Sequence, residues 1–168
     1  MAGTAFVFRR KVSVPLGNGG SAGHVAWGFT VGDVIVCGGT ENTGMHEWIP
    51  VGVDNGSWHR EVKSIAEMEE VMREGNYEDY KSLKVLTPDP DAALRVVANN
   101  EVIGYSATGN NCLDHAYQVL IHYCALTLPI PTFNPIPNGW FSAIAGEYHR
   151  ISPHREVPLT RNPETTRA

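Results

Sequence analysis

Cysteine is scarce in this chain and poorly spaced for structural pairing. There are three, Cys37, Cys112 and Cys124, an odd number without a C-x-x-C pair. Neither a disulfide framework nor a zinc ribbon is indicated, and reduced thiols are the default. An excess of positive charge is also missing. Thirteen Lys plus Arg stand against 18 Asp plus Glu, for a formal net charge of -5, which predicts no general attraction to nucleic acid or anionic lipid and disfavours a polyanionic substrate. No apolar run is long enough to cross a bilayer, and the opening MAGTAFVFRRKVSVPLG lacks the continuous apolar core of a signal peptide. The expectation is a protein cytoplasmic as synthesised, without a transmembrane segment, whose export would need a route that reads no cleavable signal. Internal repeats are absent, and the one biased tract is the proline-rich LTLPIPTFNPIPNG.

What is present is ordinary globular material. At 168 residues, 42% hydrophobic and 18% charged, the chain suits one domain with a sizeable core. We expect a single domain over 1–151 and a polar, proline-broken, mobile tail over 152–168. AFVFRRKVSV (5–14) reads as a strand, and HVAWGFTV, the turn Gly32-Asp33 and VIVCGG as a β-hairpin. KSIAEMEEVMRE (63–74) places Ile65, Met68, Val71 and Met72 at helical spacing, with Ser64 and Glu67 fitting a capping box and Gly75 ending the helix. SLKVLTP is a short strand, and Asp89 with Pro90 opens a second helix. A third helix starts near Cys112, its stripe Leu113, Ala116, Tyr117, Leu120, Ile121 and Cys124 facing the core. The proline-rich tract is expected to cross the surface as an extended loop, with NGWFSAIAGEY after it a short helix.

Cys112 follows a loop rich in Gly, Ser and Asn, and either Asn110 or Asn111 suits the N-cap. In the first turn of a helix, partial positive charge and free N–H groups favour a thiolate. A small buried residue explains a cysteine there equally well. A thiol enzyme also needs an imidazole and a polar group that orients it. His115 and His122 ride the same helix and project along it, while His46, His59, His149 and His154 fall in loops or ends. His24 opens a strand after a glycine-rich loop. With Val31 opposite Val34 across the Gly32-Asp33 turn, the register carries His24 opposite Glu41, about 4.5 to 5.5 Å apart at Cβ. A bulge at Gly38-Gly39 would bring Thr40 or Asn42 there instead, and His46 is a further candidate for the third position.

GHVAWGFTVGD followed by a hairpin partner, and much later GNNCLDHAYQVL, resembles the circularly permuted papain-like proteins, which include lecithin retinol acyltransferase-like enzymes and permuted NlpC-type peptidases. The match covers about 24–41 and 104–124. The resemblance implies an α+β fold in which an antiparallel sheet packs against the cysteine-bearing helix. It further implies Cys112 as nucleophile, His24 as base and Glu41 as orienting residue. The sequence departs from the lipid acyltransferase pattern, in which the third residue is commonly a second histidine and the cysteine is followed by an acidic residue and a histidine; here the run is Cys112-Leu113-Asp114-His115. That departure favours a soluble hydrolase.

The chemistry expected from these residues is attack of Cys112 on an acyl carbon, with the oxyanion held by the Cys112 N–H and a second donor such as Tyr105 or Ser106. Trp27 would line a substrate groove. No metal and no cofactor are called for. The resemblance implies a peptide, peptidoglycan or other acyl substrate. A role as an exported antibacterial effector with a cognate inhibitor protein is one reading of that family habit. A lipid acyltransferase or phospholipase on the same fold is a variant, and a non-enzymatic binding or adaptor domain, with Cys112 buried and loop 128–137 as partner surface, is the competing class.

Overall fold

A computed structural model describes residues 1–12, 16, 19–41, 56–103, 105 and 110–152. Its strands are β1 (Gly3–Arg10), β2 (His24–Val31), β3 (Val34–Thr40), β4 (Ser57–Val62), β5 (Asp79–Val85) and β6 (Glu147–Arg150). They form one antiparallel sheet in the order β4-β3-β2-β1-β5-β6. The helices are α1 (Ile65–Glu74), α2 (Pro90–Asn100), α3 (Cys112–His122) and α4 (Pro137–Ala143), with a single 3-10 turn at Pro131–Phe133. The architecture is α+β.

Because side chains alternate along a strand, the sheet presents two apolar faces. One carries Ala5, Val7, Val25, Trp27, Phe29, Val36 and Leu83 and is covered by α2, α3 and α4. The other carries Phe6, Phe8, Ala26, Ile35 and Cys37 and is covered by Met68 and Met72 of α1. The inner strands are therefore apolar on both sides, with β2 buried from His24 to Phe29. The outer strands β4 and β6 are largely exposed and carry His59, Arg60, Glu61, Glu147 and Arg150, charges that discourage edge-to-edge pairing.

The hairpin forms with the expected register from Val31 facing Val34 to Trp27 facing Gly38, where the pairing of β2 with β3 ends, short of His24 and Glu41. Gly32 supplies the positive φ, +59°, that the two-residue turn requires. Ser64 caps α1 by accepting from Glu67 N at 3.2 Å, and Asp89 caps α2 by accepting from Ala92 N at 2.9 Å. Ile65 differs from expectation. It sits at the first helical position and is 42% exposed, leaving Met68 and Met72 as the buried pair. Strand β1 ends at Arg10 rather than at residue 14, the stretch 13–15 lying outside the described residues. Strands β4 and β6 were not expected at all. The proline-rich tract is not a plain extended loop: it makes the 3-10 turn, and Pro137 sits in the first turn of α4, where a missing N–H costs nothing. Of the tail expected over 152–168, only Ser152 is described.

Candidate active site

α3 owes its start to Asn111, whose Oδ1 accepts from the N–H groups of Leu113 (2.9 Å) and Asp114 (3.3 Å). The Asp114 carboxylate returns the bond to Asn111 N at 3.1 Å, completing a capping box. The cap serves the second and third N–H groups of the helix, and Cys112 is the first residue. Its thiol is buried against β2, close enough to the His24 imidazole and the Val25 N–H for both to lower its pKa.

His24 enters β2 directly behind Gly23, whose φ of +77° needs glycine. Its Nε2 stands 3.3 Å from Glu41 Oε2. The contact is an ion pair rather than an aligned hydrogen bond, since Nε2 has no hydrogen-bond partner of regular geometry. With Nε2 turned to Glu41, Nδ1 is the nitrogen left for the thiol. Glu41 is itself held on both oxygens. Arg10 donates to Oε2 at 2.9 Å, Tyr77 donates to Oε1 at 2.8 Å, and the Trp58 indole N–H reaches Oε1 at 3.4 Å. The Tyr77 ring also packs on His24, 5.9 Å between centroids, and the Arg10 guanidinium lies over the Tyr77 ring, 5.5 Å from its centroid.

The electrostatics follow from this packing. Burial by itself would lower His24, but the Cys112 sulfur and the Glu41 carboxylate outweigh it and raise the imidazole to about 9. Burial would raise the Cys112 thiol, yet His24 and the Val25 N–H bring it below its ordinary 9.0. Burial would likewise raise Glu41, and His24, Arg10 and Tyr77 hold it down to about 2. Tyr77 is pushed well up by burial and by Glu41, so it remains a neutral donor. The contrast within the chain is Cys37, on the α1 face, which burial raises to about 12 and leaves inert. The two shifts run in opposite directions, and each displaces the Cys112–His24 pair toward thiolate and imidazolium.

The structure thus brings Cys112, His24 and Glu41 together at one end of the sheet. Trp27 is elsewhere, 2% exposed in the core and stacked on Phe29 at 5.7 Å, so it lines no open groove. Tyr105 is buried. Ser106, Asn42 and His46 lie outside the described residues. Arg10 and Tyr77 were missed by sequence reasoning, as were the contact of Trp58 with Glu41 and the environment of His115. That ring is 2% exposed, its Nδ1 2.7 Å from Thr40 Oγ1 and its Nε2 2.8 Å from Asn110 Oδ1. Among the described residues no cluster of three His, Cys, Asp or Glu could hold a metal ion, and no helix is long and apolar enough to cross a membrane. Compared with protein-family models, with curated proteins and with solved structures, the chain finds no match.

Proposed function

We propose that this chain is a cysteine hydrolase that opens an amide or ester bond through an acyl-enzyme on Cys112. The observation that carries the reading is the coupled line from the Cys112 sulfur to His24 and from His24 Nε2 to Glu41 Oε2 at 3.3 Å. A buried cysteine of purely structural use has no need of an imidazole and a carboxylate in series, both desolvated. In chain order, the histidine strand, the acid on its hairpin partner and the cysteine helix follow the permuted papain-like arrangement, with glutamate as the third member.

In the reaction the Cys112 thiolate attacks the acyl carbon and forms the C–S bond. The developing oxyanion lies toward the helix start, where the Cys112 N–H and the helix dipole favour negative charge. His24, protonated and held by Glu41, gives its proton to the departing nitrogen or oxygen as that bond breaks. Neutral His24 then takes a proton from water, whose oxygen attacks the thioester. Collapse of this second adduct expels the thiolate and regenerates the ion pair. An amine or hydroxyl acceptor in place of water gives acyl transfer. By resemblance the favoured substrate is a peptide amide of peptidoglycan, acted on by an exported effector that a cognate inhibitor protein restrains.

The test has two arms. Alkylation of Cys112 by iodoacetamide, followed by peptide mass analysis against pH, should proceed below the free thiol value of about 8.5 and lose that advantage in His24→Ala. Slow labelling that ignores His24 would sink the reading and leave a binding domain. The second arm offers peptidoglycan, protein and phospholipid to the wild type, with Cys112→Ala as control. Cleavage of an amide in the first two supports the hydrolase, and release of fatty acid alone moves the assignment to the lipid enzymes of the same type.

A further inference from the structure

The histidine three residues beyond Cys112 is absorbed by none of the steps above, yet it is one of the most costly side chains in the core. A fully buried imidazole gives up hydration at both nitrogens and must recover it from the protein. Burial lowers the pKa of His115, so the ring stays neutral. With Asn110 Oδ1 as acceptor, Nε2 carries the proton and Nδ1 accepts from the Thr40 hydroxyl. A leucine would fill the same space without this demand, so the two bonds need a reason.

Their partners supply it. Thr40 is the last residue of β3 and immediately precedes Glu41, while Asn110 lies two residues before Cys112. Thr40 Oγ1 lies 3.1 Å from Ser57 Oγ, whose own hydrogen goes to the Asn100 carbonyl at the end of α2 (3.2 Å), so Thr40 keeps its hydrogen for His115. The ring therefore spans the strand end that carries the acid and the loop that delivers the thiol. Between them α3 meets the sheet through Leu113, Ala116, Val119 and Leu120, contacts that are non-directional and tolerate a small slide along the helix axis. Directional bonds hold the two ends. At the far end the Tyr123 hydroxyl donates to the Thr30 carbonyl at 2.8 Å. At the near end the bond is that of His115.

We infer that His115 is a positioning residue which, by bridging Thr40 and Asn110, fixes the Cys112 sulfur against His24. This rests on the thiol-hydrolase reading for its purpose. Its geometry and its test are separate. A misplacement of an ångström at a reacting pair is enough to cost about 100-fold in rate, which is the scale on which such a staple acts.

The experiment measures the pH profile of Cys112 alkylation by iodoacetamide in the wild type and in His24→Ala, His115→Phe, His115→Gln and Thr40→Val variants. Circular dichroism and thermal unfolding confirm the fold of each. His115→Phe keeps a ring of similar size and loses both bonds. Its acid limb should move up toward the free thiol, and each unit of that rise lowers labelling well below the limb by about tenfold. His115→Gln, whose amide reaches toward Asn110, should recover part of the loss. A folded His115→Phe with a wild-type limb overturns the inference, whatever its Tm, because a merely structural histidine would lower Tm without moving the limb. If His115→Phe does not fold, Thr40→Val decides: removing the strand-side bond alone should give a smaller shift of the same sign, and an unmoved limb overturns the proposal. The His24→Ala comparison reports on the hydrolase reading and the position 115 and 40 variants on the staple, so either can fail alone. A wild-type limb already at the free thiol value removes both.

Discussion

Glu41 shows how finely one side chain is divided. Its Oε2 serves both Arg10 and His24, and its Oε1 serves Tyr77 and Trp58. Arg10 thus competes with the imidazole for the same oxygen, neutralising charge that would otherwise make His24 more basic. Arg10→Gln should carry the alkaline limb of activity, set by His24 at about 9, to higher pH, as read by Cys112 labelling or by the His24 ring resonances in NMR. A limb that falls or stays would show that Arg10 only packs. Glu41→Gln should act in the opposite direction. Without the carboxylate His24 falls, and turnover drops by about 100-fold or more, the usual scale of a general acid and base. The His24–Glu41 pairing was legible because a two-residue turn fixes its register by counting. Arg10, Tyr77 and Trp58 were not. They come from β1, the stretch after α1, and β4, and no local rule relates those segments to Glu41. His115 was legible as a helix residue but not as a bridge, because what it touches is supplied by β3 and by the loop before the helix.

At the scale of elements, the helices were readable where they carry caps. Ser64, Asp89 and Asn111 each announce a start, and each accepts the expected backbone bond. The edge strands were unreadable for the converse reason. SWHREV and EYHR lie at the sheet margins, mostly exposed, and have no alternating pattern to detect. One junction between elements is decisive for the site. Asn138 on α4 donates its amide to the carbonyls of Lys11 (3.1 Å) and Ser21 (2.9 Å), and its N–H to that of Ala22 (2.9 Å). It lies so close to Gly23 that a Cβ there would fall 2.3 Å from its Oδ1. Gly23→Ala therefore meets both a clash and an unfavourable positive φ, and should cost about 1–3 kcal/mol, measured from the urea midpoint. Because His24 follows directly, the same substitution should slow Cys112 labelling near pH 7. A variant as stable and as reactive as the wild type would show that α4 does not hold this entry.

Seen as a whole, the sheet carries two charged networks with buried members among the described residues, the site where β2 starts and β3 ends and a second around Asp79. Asp79 has a fully buried side chain that accepts a bidentate pair from Arg9 (2.9 and 2.7 Å) and a bond from the Tyr148 hydroxyl (3.0 Å), with Lys11 at 3.1 Å. These join β1, β5 and β6, so the network ties together the half of the sheet opposite β3 and β4. Burial would raise the Asp79 carboxyl, but Arg9 and Lys11 outweigh it and hold it below its ordinary 3.8. A depressed carboxyl contributes stability above its unfolded value and loses it as pH falls through the folded one. Asp79 therefore weakens the fold below 3.8, and Glu41 does the same from 4.5 down toward about 2. Cys112 and His24 act on stability in opposite senses. His24's contribution is present below 6.5 and fades as pH rises toward about 9, while that of the depressed Cys112 is present above 9.0 and lost as pH falls through its lowered value. Stability should accordingly fall steeply below 4.5 in urea titrations. Asp79→Ala strips Arg9 of its partner inside the sheet, for which about 3–5 kcal/mol is the usual penalty. It should also flatten the part of the acid loss that begins at 3.8. A variant that keeps the wild-type acid profile would place that loss on Glu41 and the site instead.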